Sequence, residues 1–489
     1  MTTAGWRIGL GNGCIQQRYV LSIMGFLAIV VAYTMRVSLS VAIVDMVGNN
    51  HSDSPIDNNS CTYESGESPI TNGEFDWDEQ TVGLILGAFY WGYLITHMPG
   101  GILSERFGGK YLLGIGILST AVFTLLSPAA ARAGPGYFIA IRVLMGLGEV
   151  CSCGIMTECV CCSQIGTVLG TSLSGVLIDA FDWPMVFYFF GGCTIIWFIV
   201  FVLICYSKPS EHPFISQEEL EFLDREIGSI VDARVPPIPW KQLLTSVPLW
   251  GLVCAQVGHD WGFYTLVTDL PLYMSDVLHF SISANGFVSS MPYLLMWFVS
   301  MGSGWFADWL IRNNKMSVTT IRKLFTSIAS AGPATGMVIA SHAGCNRIVV
   351  VALFTIFVGT MGTFYPGMKV NALDLAPNYA GTLMAIVNGI GSITGIVTPY
   401  IVGTIVQDHT AKEWQVVFWI VFGVMMITNL VFVLTASGEV QPWNWGADPS
   451  QSPAYLRGQE QLATAREAAR EREAAREAVA NTEIGEKRD

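Results

Sequence analysis

The chain has 489 residues, 52% of them hydrophobic and only 13% charged, with a mean hydropathy of +0.47. A water-soluble domain carries about 25% charged residues, so this sequence cannot cover a water-facing surface, and a bilayer is its expected solvent. The formal charge of −13 does not point to nucleic acid or another charged partner, because it is concentrated in one loop and in the C-terminal tail.

A membrane-crossing helix needs ~20 mostly apolar residues. Such runs are centred near 20–46, 82–103, 111–131, 136–157, 163–178, 186–206, 248–274, 286–306, 322–341, 348–369, 380–406 and 415–436. Residues 1–18 are polar and lead into a span too long for a signal peptide core, which predicts an uncleaved cytoplasmic N-terminus. Six spans over 19–206 form a first half, 207–245 a polar linker with a short amphipathic helix over 216–229, and 246–436 a second half of six spans. The tail, 437–489, contains an Ala-, Arg- and Glu-rich stretch over 458–479, read as a solvated single helix or disorder.

Orientation follows from charge. Arg7, Arg18, Arg106, Lys110, Arg312, Lys315, Arg322 and Lys323 fall on one side if every span crosses once, which predicts that this side, with both termini, is cytoplasmic. The loop 48–79 on the other side is acidic and carries the only two Asn-x-Ser sequons, at Asn50 and Asn58, so it is expected to be luminal or extracellular and glycosylated. Cys61 in that loop and Cys345 share the same side and could pair.

An internal repeat supports two fused halves. Gly83, Tyr90, Gly101 and Glu105 recur 203 residues later as Gly286, Tyr293, Gly304 and Asp308. A span and exit turn repeated half a chain later suit a secondary transporter with its site between the halves. There is no phosphate-cradling loop of the Walker type, and no nucleophile–base pair suggests an enzyme.

Several segments resemble one family. Phe75-Asp76-Trp77-Asp78-Glu79 with Gly83 to Tyr93, then Pro99-Gly100-Gly101 and Ser104 to Lys110, resemble the second span and following turn of the organic and phosphate anion transporters of the major facilitator superfamily. That family includes sialin, the vesicular glutamate transporters and the sodium-phosphate cotransporters. Trp261 to Leu266 with Leu270 to Met274 resemble its seventh span, Leu373 to Gly381 its turn before the eleventh, and Ser437 to Trp443 its C-terminal signature. The resemblance implies an all-α integral membrane protein of twelve helices in two six-helix halves, working by alternating access.

Ionisable groups inside a span cost ~2.5–3.5 kcal/mol on insertion scales, so each asks for a role. Arg36 lies mid-span, and its forked donors suit a carboxylate or phosphate; the family has an anion-linked Arg there, although its following Asn is here Ser38. The alternative is snorkelling or an internal ion pair. Arg142 and Glu149 stand seven residues apart on one helix face, a motif the family links to substrate and proton coupling, or else a structural pair between helices. His259 is read as a proton site or as an untitrated pore-lining donor, with Asp260 as its possible partner. The vesicular glutamate branch has Arg at the position of His259 and His at that of Leu86, which argues against that branch. Tyr264, Tyr90 and Tyr293 are read as cavity-lining hydroxyls or as packing, and Asn371 matches a family Asn. Gly101, Gly108 and Gly109 are expected to permit a tight cytoplasmic reversal in which Glu105, Arg106 and Lys110, with Asp308 in the second half, form the gating turn.

One stretch departs from the family. After Glu149 the text 150–162 resembles nothing in it, about 20 residues with a basic loop are absent, and five of the eleven cysteines crowd together. Cys-x-Cys suits soft cations, but no conventional ligand spacing appears, so no metal is expected. The segment reads as spliced or altered, and the fourth and fifth helices are expected to be shortened or disrupted.

The resulting expectation is a symporter of a small anion (phosphate, sialic acid or a related carboxylate), coupled to Na+ or H+, without a cofactor, in the plasma membrane or a lysosomal or vesicular membrane. The rivals are a non-transporting isoform acting only through binding and an anion channel on the same scaffold. The sequence leaves oligomeric state open.

Overall fold

Inside a bilayer a backbone has no water to bond, and helices satisfy its N–H and C=O groups internally. Every regular element among the described residues is accordingly helical. The structure, a computed structural model, describes residues 16–47, 73–107, 109–153, 160–206, 212–213, 215–231 and 238–445.

The first half comprises α1 (Gln17–Val47), α2 (Glu79–Phe107), α3 (Gly109–Ala133), α4 (Pro135–Cys153), α5 (Val160–Phe181) and α6 (Trp183–Ile204). Two short helices, α7 (Gln217–Val231) and α8 (Trp240–Leu244), lead to the second half. There α9 (Val247–Asp276), α10 (Ile282–Arg312) and α11 (Val318–His342) are continuous. The next column starts as α12 (Arg347–Gly359), tightens through a 3-10 turn (Thr360–Thr363), loosens into a π turn (Tyr365–Lys369) and ends as α13 (Val370–Leu375). The column after it is broken into α14 (Ala380–Gly391) and α15 (Thr394–Ile405), and α16 (Ala411–Thr435) closes the half. Among the described residues nine columns are long and apolar enough to cross a membrane. The α4 helix carries Arg142 and Glu149, and α9 carries His259, Asp260 and Asp269.

The junction at which the fourth and fifth helices are expected to be shortened or disrupted is described only in part. The α4 helix is described for 19 residues, as far as Cys153. It is helical throughout, and α5 runs unbroken for 22 residues. Residues 154–159 between them lie outside the described residues, as do the side chains of the cysteine cluster.

Each half has its own apolar core, one around Met35, Leu39, Phe138 and Phe187, the other around Tyr273, Phe354, Trp414 and Phe418. Within the first half α2 and α4 cross in backbone contact. A Cβ on Gly146 would come within 2.0 Å of Phe89 O, so glycine there lets α4 bring its charged face against the aromatic face of α2.

The two ends of the bundle differ. At the linker face the Glu219 carboxylate of α7 accepts from the free N–H groups of Gln17 and Arg18, both at 2.9 Å, and caps α1. At the same face Arg322 grips Asp374 at 2.6 Å and Pro366 O at 2.6 Å, tying α11 to the π turn and α13. At the opposite, loop face the halves are pressed together. A Cβ on Gly403 of α15 would stand 2.3 Å from Glu79 O of α2, closer than any side chain allows. His409, in the connection between α15 and α16, bonds Asp276 of α9 at 2.9 Å and Glu79 of α2 at 3.2 Å, and so also joins the halves.

The reversal between α2 and α3 differs from its expected form. The helix α2 runs to Phe107, so Gly101, Glu105 and Arg106 lie within it rather than in a turn, and Gly109 opens α3. Gly108 lies outside the described residues, as do the side chains of Glu105 and Arg106. Lys110 sits 4.5 Å from the Tyr206 ring, and Asp308 is exposed on α10. The sequon residues Asn50 and Asn58, and Cys61, lie outside the described residues; Cys345 is disulfide-bonded.

Candidate functional site

A charged side chain buried in the bundle must find its compensation there. Arg36 of α1 is 6% exposed and forms a salt bridge with Glu149 of α4. Its guanidinium is also enclosed by aromatic rings: Phe89 at 4.7 Å, Tyr33 at 4.8 Å, Tyr93 at 5.0 Å and Tyr90 at 5.8 Å from the ring centres. Such cation–π contacts strengthen where water is excluded.

The sequence left Arg36 open to an internal ion pair and Arg142 and Glu149 to a structural role between helices. Glu149 pairs with Arg36, whose side chain reaches it from α1, and so ties the two helices. Arg142 is 2% exposed, and among the described residues it has no carboxylate within salt-bridge distance. Its contacts are the Met145 sulfur at 3.9 Å and the Phe89 ring at 5.4 Å, and its Nε has no hydrogen-bond partner. Two buried guanidinium groups therefore share one carboxylate.

The second half supplies the opposite wall. Tyr264 of α9 meets Tyr90 of α2 at 4.5 Å, inside an aromatic cluster with Phe89, Tyr93 and Met145 that spans both halves. Tyr293 is buried, and its hydroxyl has no partner. His259 does not pair with Asp260. Its ring stacks on Phe364 at 3.5 Å and 4°, while Asp260 accepts from Gln256 at 2.7 Å. The charge of Lys369, which donates to Asn388 at 2.6 Å, acts on both His259 and Asp260. Asn371 stands away from this group. It is fully buried and donates to Ser437 O at 2.7 Å, at the linker face.

Sequence reading missed Lys369, Asp269 and the ring residues Tyr33 and Tyr93. The signal for Lys369 was present, since it is the one charged residue in the run 348–373. Its placement depends on the π turn, and single-turn π bulges frequently mark functional sites.

Two halves of six helical columns, with opposed charged and aromatic residues at mid-depth and a seal at one end, are the architecture of a secondary transporter. The family model of the Major Facilitator Superfamily matches residues 25–158 and 156–399. Human (Homo sapiens) sialin is 37% identical over 452 residues, 88% of this chain and 91% of that protein. A putative inorganic phosphate cotransporter of Drosophila melanogaster is 37% identical over 470 residues, 90% of this chain and 89% of its own. Vesicular glutamate transporter 1 of Bos taurus is 34% identical over 478 residues, covering 94% and 83%. Among solved structures, a bacterial homologue of the human lysosomal transporter Spinster, inward-facing and occupied, superposes with a TM-score of 0.64 at 11% identity over 87% of this chain and 97% of that one.

The chain thus belongs to the major facilitator superfamily, in the branch that holds sialin, the phosphate cotransporters and the vesicular glutamate transporters. It is a multi-pass membrane transporter rather than an enzyme.

Proposed function

We propose that this protein moves a small organic or inorganic anion (phosphate, sialate or a related carboxylate) across a lysosomal, vesicular or plasma membrane by alternating access, coupled to H+ or Na+. The observation that carries the reading is the charge imbalance at mid-depth: Arg36 and Arg142 are both buried beside one carboxylate, Glu149. A buried surplus positive charge is costly, and an anion would neutralise it. Arg142 offers that anion unused donors, and Tyr264 and Tyr90 sit where hydroxyls could complete its coordination. The pair Arg36–Glu149 is a candidate coupling element, since an anion competing for Arg36 would release Glu149 to take a proton.

On this reading the linker face is cytoplasmic and the sealed loop face luminal or extracellular. The names of the relatives support anionic cargo: sialin, phosphate cotransporters and vesicular glutamate transporters. The test is uptake of labelled phosphate, sialate and dicarboxylates into proteoliposomes of the purified full chain, with Arg142→Ala as control. Saturable uptake lost in Arg142→Ala supports the reading. Uncoupled anion current would favour a channel. Anion binding without uptake would favour a non-transporting form, for which the altered stretch 150–162 is the motive.

A further inference from the structure

Beneath His409 the loop face encloses a polar cavity that the anion site does not use. Glu79 and Leu86 of α2, Asp269 and Asp276 of α9, Gly403 of α15 and Trp414 of α16 help line it. Its volume is about 10 Å³, room for about one water molecule. A second cavity of about 20 Å³ adjoins it, shares Glu79 and Asp276, and reaches His409. Their linings together run from His409 to Asp269.

Asp269 is 1% exposed, and its Oδ2 has no hydrogen-bond partner. The indole N–H of Trp414, lining the same cavity, also has none, and neither does the Tyr293 hydroxyl of α10, which lies within electrostatic reach of Asp269. Among the described residues no Lys or Arg lines either cavity, and the cation at their mouth, His409, is paired with Asp276 and Glu79 rather than with Asp269. An ionised carboxylate buried without a cation is costly, so this oxygen calls for a cation or a proton. Among the described residues no group of three or more acids, histidines or cysteines could hold a metal ion. A proton needs only one oxygen and no more room than the cavity offers.

We propose that Asp269 is a proton-binding site loaded from the loop face, with Glu79 and Asp276 as relay carboxylates and His409 at the entrance. The proposal rests on the transporter reading above and names its coupling ion. The titratable groups facing this route are Glu79 from α2, Asp269 and Asp276 from α9, Tyr293 from α10 and His409 before α16. From α1 only apolar Ile43, Val44 and Val47 line it. In the sealed state Asp269 holds its proton beneath Glu79 and His409. Parting α2 from α15 would admit water and let the proton exchange. Because α9 also carries His259, Asp260 and Tyr264, a change of charge at Asp269 acts on the helix that lines the anion site.

The test has two readouts on the purified full chain. Infrared titration between acidic and alkaline pH reads protonated carboxyl groups whether or not the protein transports. The expected result is a carboxyl carbonyl band that disappears in Asp269→Asn and returns, shifted, in Asp269→Glu. In proteoliposomes Asp269→Asn should keep anion counterflow but lose pH-driven accumulation, and Asp269→Glu should restore it. The same carboxyl band in wild type and Asp269→Asn overturns the proposal. So does pH-driven accumulation that survives Asp269→Asn, or wild-type accumulation driven by a Na+ gradient alone. Absence of counterflow in the wild type counts against the transporter reading instead, and leaves the infrared result to decide whether Asp269 holds a proton.

Discussion

At the scale of single residues the two mid-depth arginines differ in what holds them, and so they should respond differently to removal. Arg36→Ala leaves Glu149 buried without its ion-pair partner, which costs on the order of 3–5 kcal/mol; thermal unfolding in detergent should report it, and Arg36→Ala/Glu149→Ala should recover part of the loss. Arg142→Ala removes a cation that pairs with no carboxylate. It should leave the melting temperature near or above wild type while abolishing anion uptake. His409 gives a prediction in pH. The Asp276 carboxylate, aided by Glu79, raises its pKa from 6.5 to about 11. A raised histidine pKa means that the stabilisation is complete below 6.5 and is lost as pH rises through about 11. The clasp is therefore charged throughout the physiological range. His409→Gln should destabilise the protein by on the order of 2 kcal/mol, more at mildly acidic than at neutral pH because the unfolded histidine loses its proton above 6.5, in melting curves at the two pH values. Arg36 was legible in the sequence because a charge in an apolar run declares itself. Its partner was not: Glu149 lies 113 residues further on, and only the fold brings its carboxylate to Arg36.

At the scale of elements the loop-face seal depends on α2 and α15 touching through their backbones. Gly403→Val would push a side chain into the Glu79 carbonyl, an overpacking of about 1–3 kcal/mol that parting the halves would relieve. A reporter cysteine at Leu86, which lines the cavity beneath the seal, should then react faster with an impermeant maleimide than the same Leu86→Cys reporter with Gly403 intact. An unchanged rate would show that the seal is not held there. At the linker face Arg322→Ala should loosen α11 from the π turn and lower thermal stability by roughly 3 kcal/mol, since it strips a buried bidentate partner from Asp374. Runs of ~20 apolar residues made the columns readable in advance. The breaks at 360–369 and 392–393 were not, because Gly and Pro are common in membrane helices and composition does not tell a kink from a straight turn. The altered stretch after Glu149 pointed to damage in two helices. The structure carries α4 as a helix to Cys153 and resumes with α5 at Val160; residues 154–159 between them lie outside the described residues.

For the whole molecule, the first half supplies an aromatic-caged positive site, the second half faces it with Tyr264, His259, Asp260 and Lys369, and the loop face is bolted by Gly403 and His409. The repeat at an offset of 203 made the two halves legible, but not their docking, which rests on pairs such as Tyr90–Tyr264 and His409–Glu79 that no spacing within one half reveals. Asp269 escaped notice for a related reason: in the sequence it reads as one more polar residue after Thr268, and only the folded cavity leaves its oxygen without a partner. The measurement that tests the central claim most directly is counterflow. Labelled phosphate or sialate is supplied outside proteoliposomes preloaded with the same unlabelled anion, for the full chain and for Arg142→Ala. The account predicts a transient accumulation of label by the full chain that Arg142→Ala lacks. Equal label in both, or none in either despite a folded protein, would contradict an anion transporter working through this site.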